Sequence, residues 1–325
     1  MIGGTRRPPD FFVAGHPKSG TTALYEALRR HPEIYMPARK EPNYFAWDNP
    51  LPEGTNGRRW RSVDQTPPRP ERIDDYLALF ADAAPEQKTG EASTSYLWWP
   101  TAPGNIAAVN PAARIVAIFR EPAAFLRALH EQLIANGHEV EADFRKAVSL
   151  DEDRRQGRQI PDRSIWPKAL IYSDRVRYVE QLRRFERAFP REQLLVLIYD
   201  DYRSDNAGSA RRVLEFLGVD PDVALTFAEA NPAIHVRSPR RRELLRRVNK
   251  SQSLAGRAAR SAGRVVAPSS DVRLRLAKRF LFDAPKPPDE EFMAVLRRRF
   301  KDEVVALSEY LDRDLVRLWG YEDVD

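Results

Sequence analysis

The sequence predicts an α/β protein in which a central parallel sheet is flanked by helices, and three observations carry that prediction. Short apolar runs rich in β-branched or aromatic residues occur at 11–14, 114–119 and 194–199. Each is bounded by turn or charged residues and is too uniformly apolar to alternate, which is how strands buried on both faces read. Between them lie segments with helical spacing, and strands alternating with helices imply parallel βαβ units. Finally, the first run passes directly into a glycine-bounded turn and a helix, the order that sets an anion-binding turn at the end of a strand.

Taken in chain order, the strand at 11–14 leads to a helix over 21–30. The strand at 114–119 ends at Arg120-Glu121-Pro122, where proline suits a helix start. A helix over 175–189 carries Val176, Val179 and Leu182 on one face. After the strand at 194–199 comes a helix over 209–217, closed by Gly218. Residues 290–319 return to helical periodicity through Phe292, Val295, Leu296, Phe300, Val304, Val305, Leu307 and Leu311, a stripe that packs back on the core. Residues 50–72, rich in Pro, Gly and Arg, read as a surface excursion, and 251–270, rich in Ala, Arg, Gly and Ser, as a mobile lid or disordered connection. No internal repeat is evident. The organisation expected is one domain over 1–325 with a basic, lid-like segment at 236–282.

Composition narrows the function classes. The chain of 325 residues contains no cysteine, which excludes disulfides, thiolate nucleophiles and Cys-ligated metals, and its five histidines lack metal-ligand spacing. No metal is therefore expected. No apolar run approaches the ~20 residues of a membrane span, and no signal-peptide core is seen at the N-terminus, so a soluble, cytoplasmic protein without stable membrane insertion is the expectation. The net charge is +6, and the excess is local: 236–282 holds fourteen Lys/Arg against Glu243 and Asp271. An anionic ligand or surface is implied. Because the segment lacks interleaved aromatics, a nucleic-acid partner is not expected.

The chemistry begins at Gly15-His-Pro-Lys-Ser-Gly-Thr-Thr22, whose spacing is that of the P-loop G-x-x-x-x-G-K-[ST]. Thr21 stands where a nucleotide hydrolase keeps its lysine, and Lys18 lies inside the loop. A lysine at the usual place reaches the β/γ-phosphates beside Mg²⁺, whereas one inside the loop reaches a group next to the first phosphate. The ligand expected has one anhydride. Gly15 and Gly20 permit the turn, while backbone amides from Lys18 to Thr22, the helix dipole and the Thr21 and Thr22 hydroxyls supply the cradle.

These residues resemble the 5′-phosphosulfate loop of sulfotransferases that use 3′-phosphoadenosine 5′-phosphosulfate (PAPS). The resemblance implies a P-loop-like three-layer fold and transfer of a sulfonate from PAPS to a hydroxyl, with PAP as product and no metal. It gives Pro17, Lys18, Ser19, Gly20, Thr21 and Thr22 to the donor, with Lys18 on the departing phosphate, where one such donor is worth ~3 kcal/mol. Arg114-Ile-Val-Ala-Ile-Phe-Arg-Glu-Pro122 resembles the family's 3′-phosphate element, with Arg120 as the contact. An arginine at a strand end is a rigid fork for a phosphate. Ala128 stands where the family has serine, and Ser19, Arg127 or an arginine of 237–247 is left as the replacement donor.

Lys40-Glu-Pro-Asn-Tyr-Phe-Ala-Trp47 resembles the K-E-x-x-[FY]-F segment of the glycan-modifying, heparan-sulfate-type branch, which makes Glu41 the candidate base and puts Tyr44 beside the acceptor. A positioned carboxylate contributes ~10²–10⁴ in rate by taking a hydroxyl proton. A surface pair with Lys40 is the other reading of Glu41, and His130 is the rival base. Gly90-Glu-Ala-Ser-Thr-Ser-Tyr96 resembles G-E-x-S-x-x-Y, which implies Glu91, Ser93 and Tyr96 near the acceptor. Trp98 and Trp99 either wall an acceptor pocket or plug the core. Tyr178 matches a recurrent family tyrosine that core packing explains as well. Residues 193–202 and 213–218 resemble the late strand and helix.

The expected function is in-line sulfonate transfer to a sugar, alcohol or phenol, a glycan or small-molecule acceptor. A P-loop small-molecule kinase and a non-catalytic nucleotide- or polyanion-binding protein are the alternatives. Oligomeric state, a homo-oligomer included, is left open.

Overall fold

The computed structural model describes residues 7–46, 70–162, 164, 166–227 and 287–324, with backbone alone at 235–236 and 282–283. Most of the expected excursion at 50–72, the segment at 251–270 and nearly all of the basic segment at 236–282 lie outside the described residues. Five strands form one sheet: β1 Phe11–Val13, β2 Ile34–Tyr35, β3 Lys88–Ala92, β4 Arg114–Phe119 and β5 Leu194–Ile198, in the order β2-β3-β1-β4-β5. All four pairings are parallel, with Phe11 opposite both Gly90 and Arg114, and Ile115 opposite Leu194.

The described helices of four or more α-helical residues are, in chain order, α1 Thr21–Leu28, α2 Ile73–Leu77, α3 Ser95–Trp98, α4 Ala102–Val109, α5 Pro122–Asn136, α6 Phe144–Ser149, α7 Asp151–Arg155, α8 Tyr172–Arg175, α9 Tyr178–Glu186, α10 Tyr199–Ser204, α11 Asn206–Leu217, α12 Glu290–Leu311 and α13 Leu315–Leu318. The chain divides into two compact units, one from 1–125, 175–230 and 296–325, the other from 126–174 and 231–295. The sheet belongs to the first.

The strand alternation sorts the core of that unit onto two faces. Phe11 and Val13, with Val116, Ile118 and Leu197, pack against Leu24 and Leu28 of α1 and Val213, Leu214 and Leu217 of α11. Phe12 points the other way, its ring 5.7 Å from Phe45 and 6.0 Å from Tyr96. Each such ring, fully buried, contributes up to ~3 kcal/mol. Helix ends follow local chemistry. Asp205 caps α11 by accepting from Gly208 N at 2.8 Å, and Gly218 closes it at φ 71°.

The second unit has its own buried polar anchor. Arg154 pairs with Glu139 at 2.8 Å, and Tyr172 donates to the same carboxylate at 3.1 Å. Asp151 holds the amides of Tyr172 and Ser173.

Three expectations change. The helix over 175–189 is shorter, because the chain breaks between α8 and α9 at Val176-Arg177. The terminal helix divides at Asp312, whose φ is 49°, before Asp314 caps α13 by accepting from Arg317 N. Strands β2 and β3 were absent from the sequence reading, since Lys88-Thr-Gly-Glu-Ala92 lacks an apolar run. Its polar groups are buried because they are satisfied within the fold. Asp10 accepts from Thr89 N at 2.7 Å and from its hydroxyl at 3.1 Å.

Gly90 lies under the Phe11 ring, so that a Cβ would overlap it. Gly90→Ala is expected to lower stability by about 1–3 kcal/mol through overpacking, read as an earlier thermal unfolding transition by circular dichroism; an unchanged transition would show that Phe11 moves freely.

Candidate active site

The parallel order places the C-terminal ends of β3, β1 and β4 side by side, the edge where open α/β sheets bind ligands. Each end carries one of the expected groups. The central strand runs on past Val13, with Ala14 N on Val116 O at 2.8 Å and His16 N on Ile118 O at 3.0 Å, and then turns through Pro17, Lys18 and Ser19 into α1. Lys18 is left-handed, φ 61°, and so is Gly20, φ 85°. Gly20 is the N-cap of α1 and no side chain caps the helix, which leaves its N-terminal amides to an anion. A Cβ at Gly20 would stand 2.7 Å from the Tyr202 ring, and one at Gly15 would stand 2.7 Å from Thr21 Cγ2. Both glycines are required by contact. Ser19 and Thr21 are buried and Thr22 is exposed; the Ser19 hydroxyl stands 3.5 Å from Pro17 O.

At the end of β4, Arg120 donates to the Lys18 carbonyl at 2.8 Å and lies 4.7 Å over the Tyr199 ring. Its own carbonyl accepts from the Tyr178 hydroxyl at 2.9 Å. Arg120 is thereby fixed to the loop and stacked on an aromatic face, a pre-organised cation that forms no ion pair among the described residues.

At the end of β3, Glu41 N donates to the Ala92 carbonyl at 3.0 Å. Glu41 has φ 58° and Asn43 φ 55°. A non-glycine residue in this region costs about 1–3 kcal/mol and persists where its surroundings impose it. Asn43 supplies the constraint: its side-chain amide donates to the Glu41 carbonyl at 2.7 Å, its backbone N–H to the Ser93 hydroxyl at 3.0 Å, and its Oδ1 accepts from Ser95 at 2.6 Å. The Glu41 carboxylate, 37% exposed, pairs with Lys40 at 2.8 Å. The expected surface pair is thus formed, and at that exposure it is worth under ~1 kcal/mol.

Beneath this loop lies a buried carboxylate. Glu91 is 0% exposed and accepts from Tyr96 at 2.6 Å, Ser93 at 2.7 Å and Tyr76 at 2.9 Å. Burial raises its pKa to about 7, against the lowering effect of the three hydroxyl bonds. Tyr44 is half-buried and stacks on Tyr76 at 4.8 Å.

The structure corrects several assignments. Glu91, Ser93 and Tyr96, expected at the acceptor, are buried and hydrogen-bonded to one another, so their polar atoms face the Asn43 loop instead of a ligand. Trp99 is core. Trp98 is half-buried beneath the Arg175 guanidinium, 3.9 Å from its ring centroid. His130, the rival base, sits in the second unit with Nε2 donating to the Glu141 carbonyl at 2.8 Å, and burial lowers its pKa. That nitrogen has no lone pair to offer a substrate. Ala128 is half-buried on α5. Of the replacement donors, Arg127 pairs with Glu131 at 3.5 Å, and 237–247 lies outside the described residues.

Sequence reasoning missed the groups that hold the site: Tyr199 under Arg120, Tyr202 against Gly20, Asn43 in the left-handed region and Tyr76 on Glu91. Asparagine between two polar turn contacts and tyrosines directly after the β5 run are the signals that could have found them. It also gave no role to His16, which stacks on Phe125 at 4.2 Å and meets Gln181 Oε1 at 3.2 Å. Gln181 Nε2 donates to Arg175 O, so its oxygen faces the ring and His16 Nε2 carries the proton. Burial, with Arg175 nearby, holds the His16 pKa well below its ordinary value.

Comparison with known proteins gives a consistent result. A family model described as the sulfotransferase family matches residues 9–222. Carbohydrate sulfotransferase 15 of Homo sapiens is 26% identical over 286 residues, spanning 73% of this chain and 48% of the relative. Heparan sulfate glucosamine 3-O-sulfotransferase 3B1 of Mus musculus is 27% identical over 220 residues, spanning 66% and 47%. The chain thus spans about half the length of the curated relatives it matches. A solved sulfotransferase from Alicyclobacillus acidocaldarius shares the fold with a TM-score of 0.62 at 23% identity, covering 96% of this chain and 99% of that one.

The Glu91 environment gives a signed pH dependence. Its folded pKa of about 7 lies above the ordinary 4.5, so the folded state holds the proton more tightly than the unfolded chain. Its contribution is fully present below about 4.5 and is lost as pH rises through about 7, roughly 3 kcal/mol at ~1.4 kcal/mol per unit. Urea unfolding of wild type and Glu91→Gln across this range should show the difference between them changing by about that amount; parallel curves would mean that Glu91 titrates normally.

Proposed function

The chain belongs to the sulfotransferase family, and from that premise we propose that it transfers a sulfonate group from PAPS to a hydroxyl of a sugar or other alcohol or phenol, releasing PAP. The observation that carries the donor reading is the loop geometry. Lys18 is set inside the turn by a left-handed backbone and by Arg120 on its carbonyl, ahead of an uncapped α1 that begins at Gly20. The residues fit the donor. The Ser19–Thr22 stretch offers backbone amides and hydroxyls to a 5′-phosphate, Lys18 an ammonium to the neighbouring sulfonate and bridging oxygen, and Arg120 a cation for the 3′-phosphate end.

In the chemical step the acceptor oxygen bonds to sulfur as the bond from sulfur to the bridging oxygen breaks, and that oxygen leaves with the electron pair on PAP. Lys18 neutralises the charge that collects there. The acceptor proton goes to Glu41, a solvent-reachable carboxylate whose pairing with Lys40 is weak enough to exchange for a hydroxyl donor. His130 is withdrawn as the base, because its ring is buried and packed beside Phe144 and Tyr172. No resident metal enters this reading; two cations fixed at the loop supply what Mg²⁺ supplies in a nucleotide hydrolase.

The acceptor class is drawn from the relatives, named for carbohydrate and heparan sulfate. We place both units in one functional domain of a cytoplasmic enzyme. Among the described residues no helix is long and apolar enough to cross a membrane.

Titration calorimetry with PAP should show binding, weakened at least ten-fold by Arg120→Ala; no heat at millimolar PAP would overturn the donor assignment. With labelled PAPS and a panel of heparan sulfate, a neutral glucosamine oligosaccharide and 4-nitrophenol, Glu41→Gln should lower kcat by ~10²–10⁴ while leaving PAP affinity unchanged. Full turnover in that variant would remove Glu41 as the base.

A further inference from the structure

The Glu91 cluster has no part in the step just described, yet it touches the loop that carries the base. We infer that Glu91 is a positioning residue that holds Glu41 in its working conformation through Ser93 and Asn43. The inference rests on the assignment of Glu41 as base. The path is continuous: Glu91 Oε2 accepts from Ser93 at 2.7 Å, Ser93 Oγ accepts from Asn43 N at 3.0 Å, and Asn43 Nδ2 donates to Glu41 O at 2.7 Å. Glu41 and Asn43 both occupy the left-handed region, so the loop reverts to ordinary backbone angles unless something holds it.

The hydrogen-bond arithmetic makes the device depend on charge. An ionised carboxylate only accepts, and all three of its neighbours donate: Tyr76 from α2, Tyr96 from α3 and Ser93 from the turn after β3. With two of these on Oε1, an added proton goes to Oε2, which has one. There it faces Ser93 Oγ, turns the Ser93 hydroxyl proton away from its acceptor and loosens the hold on Asn43 N. A buried hydroxyl without an acceptor is costly. The nearby charge that shifts Glu91 is Glu41 itself, which raises its pKa further, and Lys40 lies beyond as the Glu41 partner. Since burial brings Glu91 to about 7, the change of state falls near neutral pH.

The test compares wild type, Glu91→Gln and Ser93→Ala by hydrogen exchange resolved to single amides, with PAP titration on the same samples. In wild type, protection of the Asn43 and Glu41 amides, corrected for intrinsic rates, should fall at least ten-fold from pH 8 to pH 6. Glu91→Gln should show low protection that does not vary over that range, and Ser93→Ala low protection of Asn43 at both ends. The amides of 15–22 and the PAP affinity should stay within two-fold in both variants. Wild-type protection that is flat with pH, or full protection in both variants, would overturn the inference. Parallel loss at 15–22 would do the same, because Glu91 would then serve only the fold. Failure of wild type to bind PAP would reject the proposed reaction, while the exchange data would still decide whether the clamp exists.

Discussion

The candidate site hangs on the parallel order β3-β1-β4. Because the three strands run the same way, their C-terminal ends share one edge: Lys18 and Arg120 follow β1 and β4, and Glu41, from the segment after β2, joins the end of β3 through its N–H on Ala92 O. Lys18, Glu41 with Ala92, and Arg120 come from widely separated stretches of the chain. A reversed central strand would put the loop and its helix N-terminus on the opposite edge from both. The βαβ connection that enforces parallel pairing therefore also assembles the site.

The edge carries backbone strain in proportion to its function. Lys18, Glu41 and Asn43 are three of the five non-glycine residues with positive φ among the described residues. Each is held by hydrogen bonds from a rigid element: Arg120 for Lys18, the Ala92 carbonyl for Glu41, and Ser93 with Ser95 for Asn43. At ~1–3 kcal/mol per residue, such angles survive only where partners outnumber the alternatives. The aromatic groups do similar work from behind. Tyr202 leaves no room for a side chain at Gly20, and Tyr199 stacks under Arg120.

How far the sequence could be read follows from how each feature signals. The loop is local, so spacing alone located Lys18, Gly20 and the start of α1, and buried parallel strands announce themselves as apolar runs, which located β1, β4 and β5. By contrast, β3 was invisible because its buried residues are polar and are satisfied by partners distant in sequence: Thr89 by Asp10, and Glu91 by Tyr76 among others. The same reason explains the misplaced acceptor contacts. Glu91, Ser93 and Tyr96 are chemically suited to a ligand, and only the fold shows that their polar atoms are used on one another. His130 was a plausible base by type, and its hydrogen bond to Glu141 O could not be read from spacing. Asn43 gave the weakest signal, since a left-handed angle at a non-glycine residue is set by tertiary contacts.

The two glutamates of the edge divide along a physical line. Glu41 is partly exposed and keeps a lysine partner, which suits a group that must exchange protons with a substrate. Glu91 is sealed from solvent, and its oxygens are taken up by hydroxyl donors. Folding favours its neutral form, while the donor pattern around it fits the ionised form. A carboxylate chosen for stability alone would be replaced by an apolar side chain of similar size, since an unneeded buried charge is destabilising. Its presence beneath the strained Glu41–Asn43 turn is best explained by the turn, which gains a fixed hydrogen-bond acceptor through Ser93 that no apolar side chain provides.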